Sequence, residues 1–102
     1  MSRKATHPGR ILRNGYIKPL DLKISHLASS LNIHRSTLSS FVNEKRDCTL
    51  NLAFRLSKHF KTTPNFWMNL QMSYDIWCAG KNKELKSELK NVKRIGRRLS
   101  EK

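Results

Sequence analysis

The chain predicts an all-α domain of five helices followed by a basic C-terminal extension, within 102 residues. Three observations predict it. Apolar side chains recur at helical spacing, and strand-like alternation is absent. Two of the apolar-faced segments are separated by a turn only about three residues long, so they must meet at a steep angle. Two threonine-then-proline pairings, Thr6-His7-Pro8 and Thr63-Pro64, read as helix starts. The helices are expected in residues 6–79 of a domain spanning 1–80, with 81–102 as the extension.

The first helix opens near Thr6-His7-Pro8, with Thr6 as the cap and proline in the first turn. Ile11, Leu12 and Tyr16 supply its inner face. Gly15 weakens its end, and Pro19 closes the segment because the residue before a proline avoids helical angles. The second helix has the cleanest pattern. Ile24, Leu27, Ala28 and Leu31 fall at i, i+3, i+4, i+7. Asn32 follows, a residue that tolerates the left-handed conformation ending a helix.

Ile33 begins the tight turn, and the third helix starts at His34 or Arg35. Leu38, Phe41 and Val42 anchor it. Arg35, Ser36, Ser39, Ser40 and Asn43 then fall on its outer side. The fourth helix runs from about Leu50 to Phe60 behind a Thr49 cap, with Leu52, Ala53, Leu56 and Phe60 facing in. The fifth, from Pro64, is apolar around much of its circumference. A small domain cannot bury all of that, so the surplus predicts a subunit interface. Phe66, Trp67, Leu70, Tyr74 and Trp77 are the residues expected there.

Composition narrows the partners. A hydrophobic fraction of 37% excludes general disorder and a membrane protein alike. No membrane span or secretion signal is visible, so a cytoplasmic protein is expected. Cys48 and Cys78 fit no metal spacing. Reduced cytosolic thiols are expected of them, with a disulfide between the two as the other option. The net charge of +14 favours a polyanion: nucleic acid, with anionic lipid as the competitor.

The third helix favours nucleic acid. Solvated helix faces usually carry Glu, Lys and Gln, better helix formers than Ser or Thr. The stretch "IHRSTLSSFVNEKR" instead keeps Ser36, Thr37, Ser39 and Ser40 short and polar beside Arg35. A major groove roughly 12 Å wide admits such a helix, and short hydroxyls let its backbone approach base edges. Arg35 is placed to fork onto a guanine. Asn43, Lys45 and Arg46 suit phosphate contacts, which set register without reading sequence.

"HPGRIL", "IHRSTLSSFVNEKR", "AFRLSKHF" and above all "TTPNFWMNLQMSYDIW" resemble the HigA/VapI antitoxin family, a branch of the lambda-repressor-like Xre helix-turn-helix group. The resemblance covers residues 7–78. Its most specific part is the pattern of Thr63, Pro64, Phe66, Trp67, Leu70 and Gln71. It implies a five-helix, lambda-repressor-like domain that dimerises on a palindromic operator in double-stranded DNA. It also implies a neighbouring RNA-cleaving toxin of the RelE/HigB type, which the antitoxin neutralises while repressing their shared operon. The recognition helix would be Arg35–Asn43. A stand-alone Xre-type regulator without a toxin is the alternative.

The chain departs from this pattern in three ways. Asn32, Glu44 and Lys61 stand where the family often has glycine. If left-handed, Glu44 and Lys61 each cost about 1 kcal/mol. Lys23 replaces a usual Ser or Thr cap. The extension carries nine Lys or Arg against three Glu. Leu85, Leu89, Val92, Ile95 and Leu99 give it a roughly helical spacing, which fits an amphipathic helix and equally a frayed basic arm. A membrane-surface or RNA-binding protein driven by this extension is the reading from a third class.

Enzymatic chemistry lacks material. Seven scattered carboxylates offer no acid–base pair. His7, His26, His34 and His59 have no partners at metal-ligand spacing and are expected at the surface. No catalytic motif, cofactor or metal is expected.

Overall fold

The computed structural model describes residues 4–95; Leu99 and the rest of 96–102 lie outside them. Among the described residues there are six α-helices and no strand: α1 (Pro8–Leu12), α2 (Ile24–Leu31), α3 (Arg35–Val42), α4 (Leu50–Phe60), α5 (Pro64–Gly80) and α6 (Lys83–Leu89). The sixth occupies the first part of the extension. It ends at Leu89, so Val92 and Ile95 continue the apolar spacing without the helix and stand exposed.

The start of α1 differs from the sequence expectation. His7, not Thr6, is the cap: its Nδ1 accepts from the backbone N–H of Gly9 at 2.8 Å. His7 is also only 2% exposed, packed against Phe41 and Tyr74 with ring centroids 5.8 and 4.9 Å away. An imidazole offers one acceptor nitrogen and a flat apolar body, so it can cap and fill core at once. His26, His34 and His59 are exposed, as expected. Beyond Leu12 the backbone widens into a π-helical turn over Arg13–Ile17. Such a turn takes in one extra residue. Ile17 is buried there, and the Tyr16 ring packs at a tilt against Phe60 and Trp67, with centroids 4.7 and 5.6 Å away.

The α2 stripe packs inward, with Leu27, Ala28 and Leu31 buried. Asn32 is left-handed (φ 58°), and the next amide, Ile33, donates back to Ala28 at 3.0 Å. Arg55 of α4 completes this helix end, donating from Nη1 to the carbonyls of Leu31 (2.9 Å) and Asn32 (3.2 Å). Those carbonyls have no partner within α2, so the guanidinium satisfies groups that the helix leaves orphaned. Lys23 stands at the α2 N-cap and makes no capping bond, the loss anticipated for a residue without a short hydroxyl.

Thr49 and Thr63 cap α4 and α5, accepting from Leu52 (3.2 Å) and Phe66 (3.1 Å). Trp67 is fully buried, and its Nε1 donates to the Thr62 hydroxyl at 2.8 Å. Gln71, 4% exposed, is the polar pivot of the core. Its Oε1 accepts from the Cys48 amide at 2.6 Å, and its Nε2 donates to Asp75 (2.9 Å) and Asp47 (3.3 Å). One side chain on α5 therefore holds the loop that follows α3. Both cysteines are free, Cys48 buried and Cys78 exposed. Burial pushes the Cys48 thiol up to about 11, so it stays protonated and inert.

Candidate nucleic-acid interface

Leu38 and Phe41 are fully buried and Val42 is 5% exposed, so α3 is gripped along one side. Its other side carries the expected polar set. Arg35 and Ser36 are exposed, and Thr37, Ser39 and Ser40 are half-buried along the same helix. Asn43, Lys45 and Arg46 are exposed just beyond it. Asn43 donates from Nδ2 to the Ser39 hydroxyl at 3.4 Å, tying the loop to the helix. Every residue expected to touch DNA thus reaches the surface within one continuous stretch, 35–46.

The carboxyl end of α3 is fixed from α1, which sequence reasoning missed. Gly9 lies against it: a Cβ there would come within 1.9 Å of the Phe41 carbonyl oxygen. Arg13 donates to the Val42 carbonyl at 3.5 Å. Glu44, left-handed at φ 63°, pairs with Arg10 at 3.0 Å and Arg13 at 4.0 Å. The family departure at Glu44 is therefore strained, and its carboxylate returns an ion pair. Lys61 is strained likewise (φ 57°), as is Asp21 (φ 52°), which the sequence did not flag.

His7 sits beneath this junction. Burial lowers its pKa from the usual histidine value. The negative charges of Glu44, Asp47 and Asp75 oppose that shift. Its Nε2 is buried and has no hydrogen-bond partner among the described residues.

The residues expected at a subunit interface are placed differently. Trp67 has no surface left to offer a second chain. Leu70, Tyr74 and Trp77 are half-buried against their own protomer, Tyr74 on His7 and Trp77 beside Tyr74. Only Phe66, at 39%, is substantially exposed. The inward turn of Trp67 is a correction with a simple cause: α5 has to cover both α4 and the first helix. The large apolar side chains that α4 and α5 leave outside are Leu50 and Phe54 of α4 and, with Phe66, Met72 and Ile76 of α5.

Among the described residues no group of His, Cys, Asp and Glu could hold a metal ion. No helix there is long and apolar enough to cross a membrane.

Two short helices meeting across a tight turn, the second presenting hydroxyls and cations while its apolar side is locked in place, define a helix-turn-helix protein. The chain is 47% identical over 93 residues to an HTH-type transcriptional regulator of Haemophilus influenzae, covering 91% of this chain and 87% of that one. It is 38% identical over 80 residues to virulence-associated protein I of Dichelobacter nodosus, covering 78% and 74%. It belongs to this VapI/HigA family of helix-turn-helix regulators. No protein-family model matches the chain.

Solved structures agree. A HigA-family addiction-module antidote protein from Coxiella burnetii superposes with a TM-score of 0.82 at 36% identity, over 91% of this chain and 100% of that one. The Pseudomonas aeruginosa antitoxin HigA, solved with the higBA promoter, gives 0.84 at 31%, over 92% and 100%. PA4674 of the same organism, solved with its operator DNA, gives 0.82 at 29%, over 93% and 100%.

Proposed function

We propose that the chain is a sequence-specific DNA-binding repressor that acts as the antitoxin of a type II, HigBA-like toxin–antitoxin module in the cytoplasm. The observation that carries this reading is α3 itself: Leu38, Phe41 and Val42 are buried, while Arg35 and Ser36 are exposed and Thr37, Ser39 and Ser40 keep part of their surface. Those five face base edges. Asn43, Lys45 and Arg46 contact phosphates and set the register. No catalytic role is proposed. The relatives solved with promoter or operator DNA support the reading by likeness.

The protein acts as a homodimer whose recognition helices enter successive major grooves, roughly 34 Å apart. The pairing face is the one around Leu50, Phe54 and Phe66, which are 64%, 61% and 39% exposed. A groove there, lined by Leu50, Phe54 and Pro64 among others, offers an apolar surface that self-association would cover. A footprint of the purified protein on DNA upstream of its own gene tests the proposal. A protected, two-fold symmetric site is expected. Uniform protection without a preferred site would overturn it.

A stand-alone regulator is the second reading, favoured by the charge of +14. An antitoxin this basic is a poor electrostatic match for a basic RNA-cleaving toxin. Co-purification of an RNase silenced by this protein selects the antitoxin. Its absence from pull-downs, with operator binding intact, selects the regulator.

A further inference from the structure

At the far end of α5 an open groove of about 540 Å³ runs between the last two turns of that helix, Ala5 and α6. Its lining is mostly apolar and includes Ile76, Trp77 and Gly80. Ile76 is 65% exposed and Met72, one turn before it, 61%. A Cβ at Gly80 would meet nothing within 4 Å, so the groove is unobstructed there. The two charged residues in its lining are both cations, although Asp75 on α5 and Glu84 and Glu88 on α6 lie outside that lining. Lys81 and Lys86 line it, and the Lys81 ammonium stands 3.7 Å over the Trp77 ring. Lys83 on α6 and Lys90 at its C-cap lie about one helical turn either side of Lys86.

We infer that this groove docks a partner protein through an acidic amphipathic helix, with apolar side chains seated on Ile76 and Trp77 and carboxylates meeting Lys81 and Lys86. The inference is independent of how α3 reads DNA and of whether the partner is a toxin. Charge complementarity selects the occupant. A second copy of this chain does not fit: it carries the same +14, and at least one Lys or Arg separates every two successive acidic residues along it. Nucleic acid fits less well, because a phosphate backbone gains nothing from Ile76, Met72 and the tryptophan edge. A helix with leucines on one side and glutamates on the other satisfies both features at once.

The test uses the full chain and a fluorescein-labelled synthetic peptide of leucine and glutamate, about four turns long and amphipathic as a helix. A scrambled peptide of identical composition is the control, and binding is read by anisotropy at physiological salt. The amphipathic peptide should bind about tenfold more tightly than the scrambled one. Ile76→Glu and Lys86→Glu should each weaken it severalfold, and Lys58→Glu on α4 should not. All three positions are exposed, and circular dichroism confirms that each variant remains folded. Equal binding of both peptides, or equal loss in Lys58→Glu, overturns the inference, because bulk charge is then the whole attraction. Displacement of the peptide by non-operator duplex DNA without sensitivity to Ile76→Glu overturns it in favour of a nucleic-acid surface. Capture by anionic vesicles, lost in Ile76→Glu, with no peptide binding, overturns it in favour of a membrane surface.

Discussion

Gly9 lies so close to Phe41 that a single added methyl group would fall 1.9 Å from the Phe41 carbonyl oxygen. That oxygen is backbone, so it cannot swing aside as a side chain would. The carboxyl end of the recognition helix is seated directly on α1 because residue 9 has no Cβ. Gly9→Ala must push the two helices apart. Overpacking of this kind costs about 1–3 kcal/mol. Urea unfolding should show a lower midpoint with an unchanged slope. Operator affinity should fall as well, since α3 loses its seat.

Glu44 and Lys61 form a natural comparison, both non-glycine residues at positive φ (63° and 57°). Lys61→Gly should stabilise by about 1 kcal/mol through release of left-handed strain. Glu44→Gly releases the same strain but also removes the partner of Arg10. An exposed pair of that kind contributes about 0–1 kcal/mol. Its net gain should therefore be smaller than that of Lys61→Gly, as measured by thermal unfolding. Glu44→Gly should also strengthen non-operator DNA binding, because a negative charge leaves the loop between Asn43 and Lys45.

His7 makes stability depend on pH in a definite direction. Its folded pKa is lowered by burial below the usual value of 6.5, so the folded state favours the neutral ring. The unfolded chain binds the proton first as pH falls, so stability is complete above about 6.5 and declines as pH drops below it toward the folded pKa. His7→Asn keeps a side chain able to cap α1 and removes the titration. Denaturation midpoints of the wild type should fall between about pH 7 and 5 more steeply than those of His7→Asn. Parallel curves would assign the acid sensitivity to other groups.

Gln71→Leu should be costly for a residue that looks, on a helical wheel, like one more core position. Its amide satisfies the Cys48 N–H at 2.6 Å. Leucine fills the space and leaves that buried donor without an acceptor, at about 1–3 kcal/mol. The loss is expected in chemical denaturation and in faster hydrogen exchange at Cys48.

These residues also mark where the sequence was legible. The α2 stripe, the Thr49 and Thr63 caps and the buried trio of α3 follow local rules of spacing and capping, and each stands where its pattern put it. The left-handed Asn32, Glu44 and Lys61 were expected from the glycines of similar proteins. What was missed depends on residues distant in the chain. His7 reads as a surface histidine until Phe41 and Tyr74 close over it. Arg55 reads as a solvated cation until the end of α2, 24 and 23 residues earlier, supplies carbonyls. Within the interface set on α5, the burial of Trp67 was missed for a different reason. A helix apolar on nearly every side has no periodicity to say which side is inner, so Trp67 and Leu70 could not be told from Met72 and Ile76.

Arg35 separates direct reading of bases from general attraction. It opens α3, is exposed, and makes no side-chain hydrogen bond or ion pair among the described residues. If its guanidinium forks onto a guanine, Arg35→Ala should cost about 1–3 kcal/mol on the operator and relax preference at one base pair. Stability should stay unchanged, because nothing in the core leans on it. Lys45→Ala and Arg46→Ala should behave otherwise: a similar loss on all sequences, with the slope of affinity against salt reduced by about one unit each. Binding measured on the operator, on single-base variants of it and on unrelated duplex at several salt concentrations distinguishes the two patterns. A uniform loss for Arg35→Ala would move that residue to the phosphate backbone and leave the hydroxyls of Ser36, Thr37, Ser39 and Ser40 to carry the specificity.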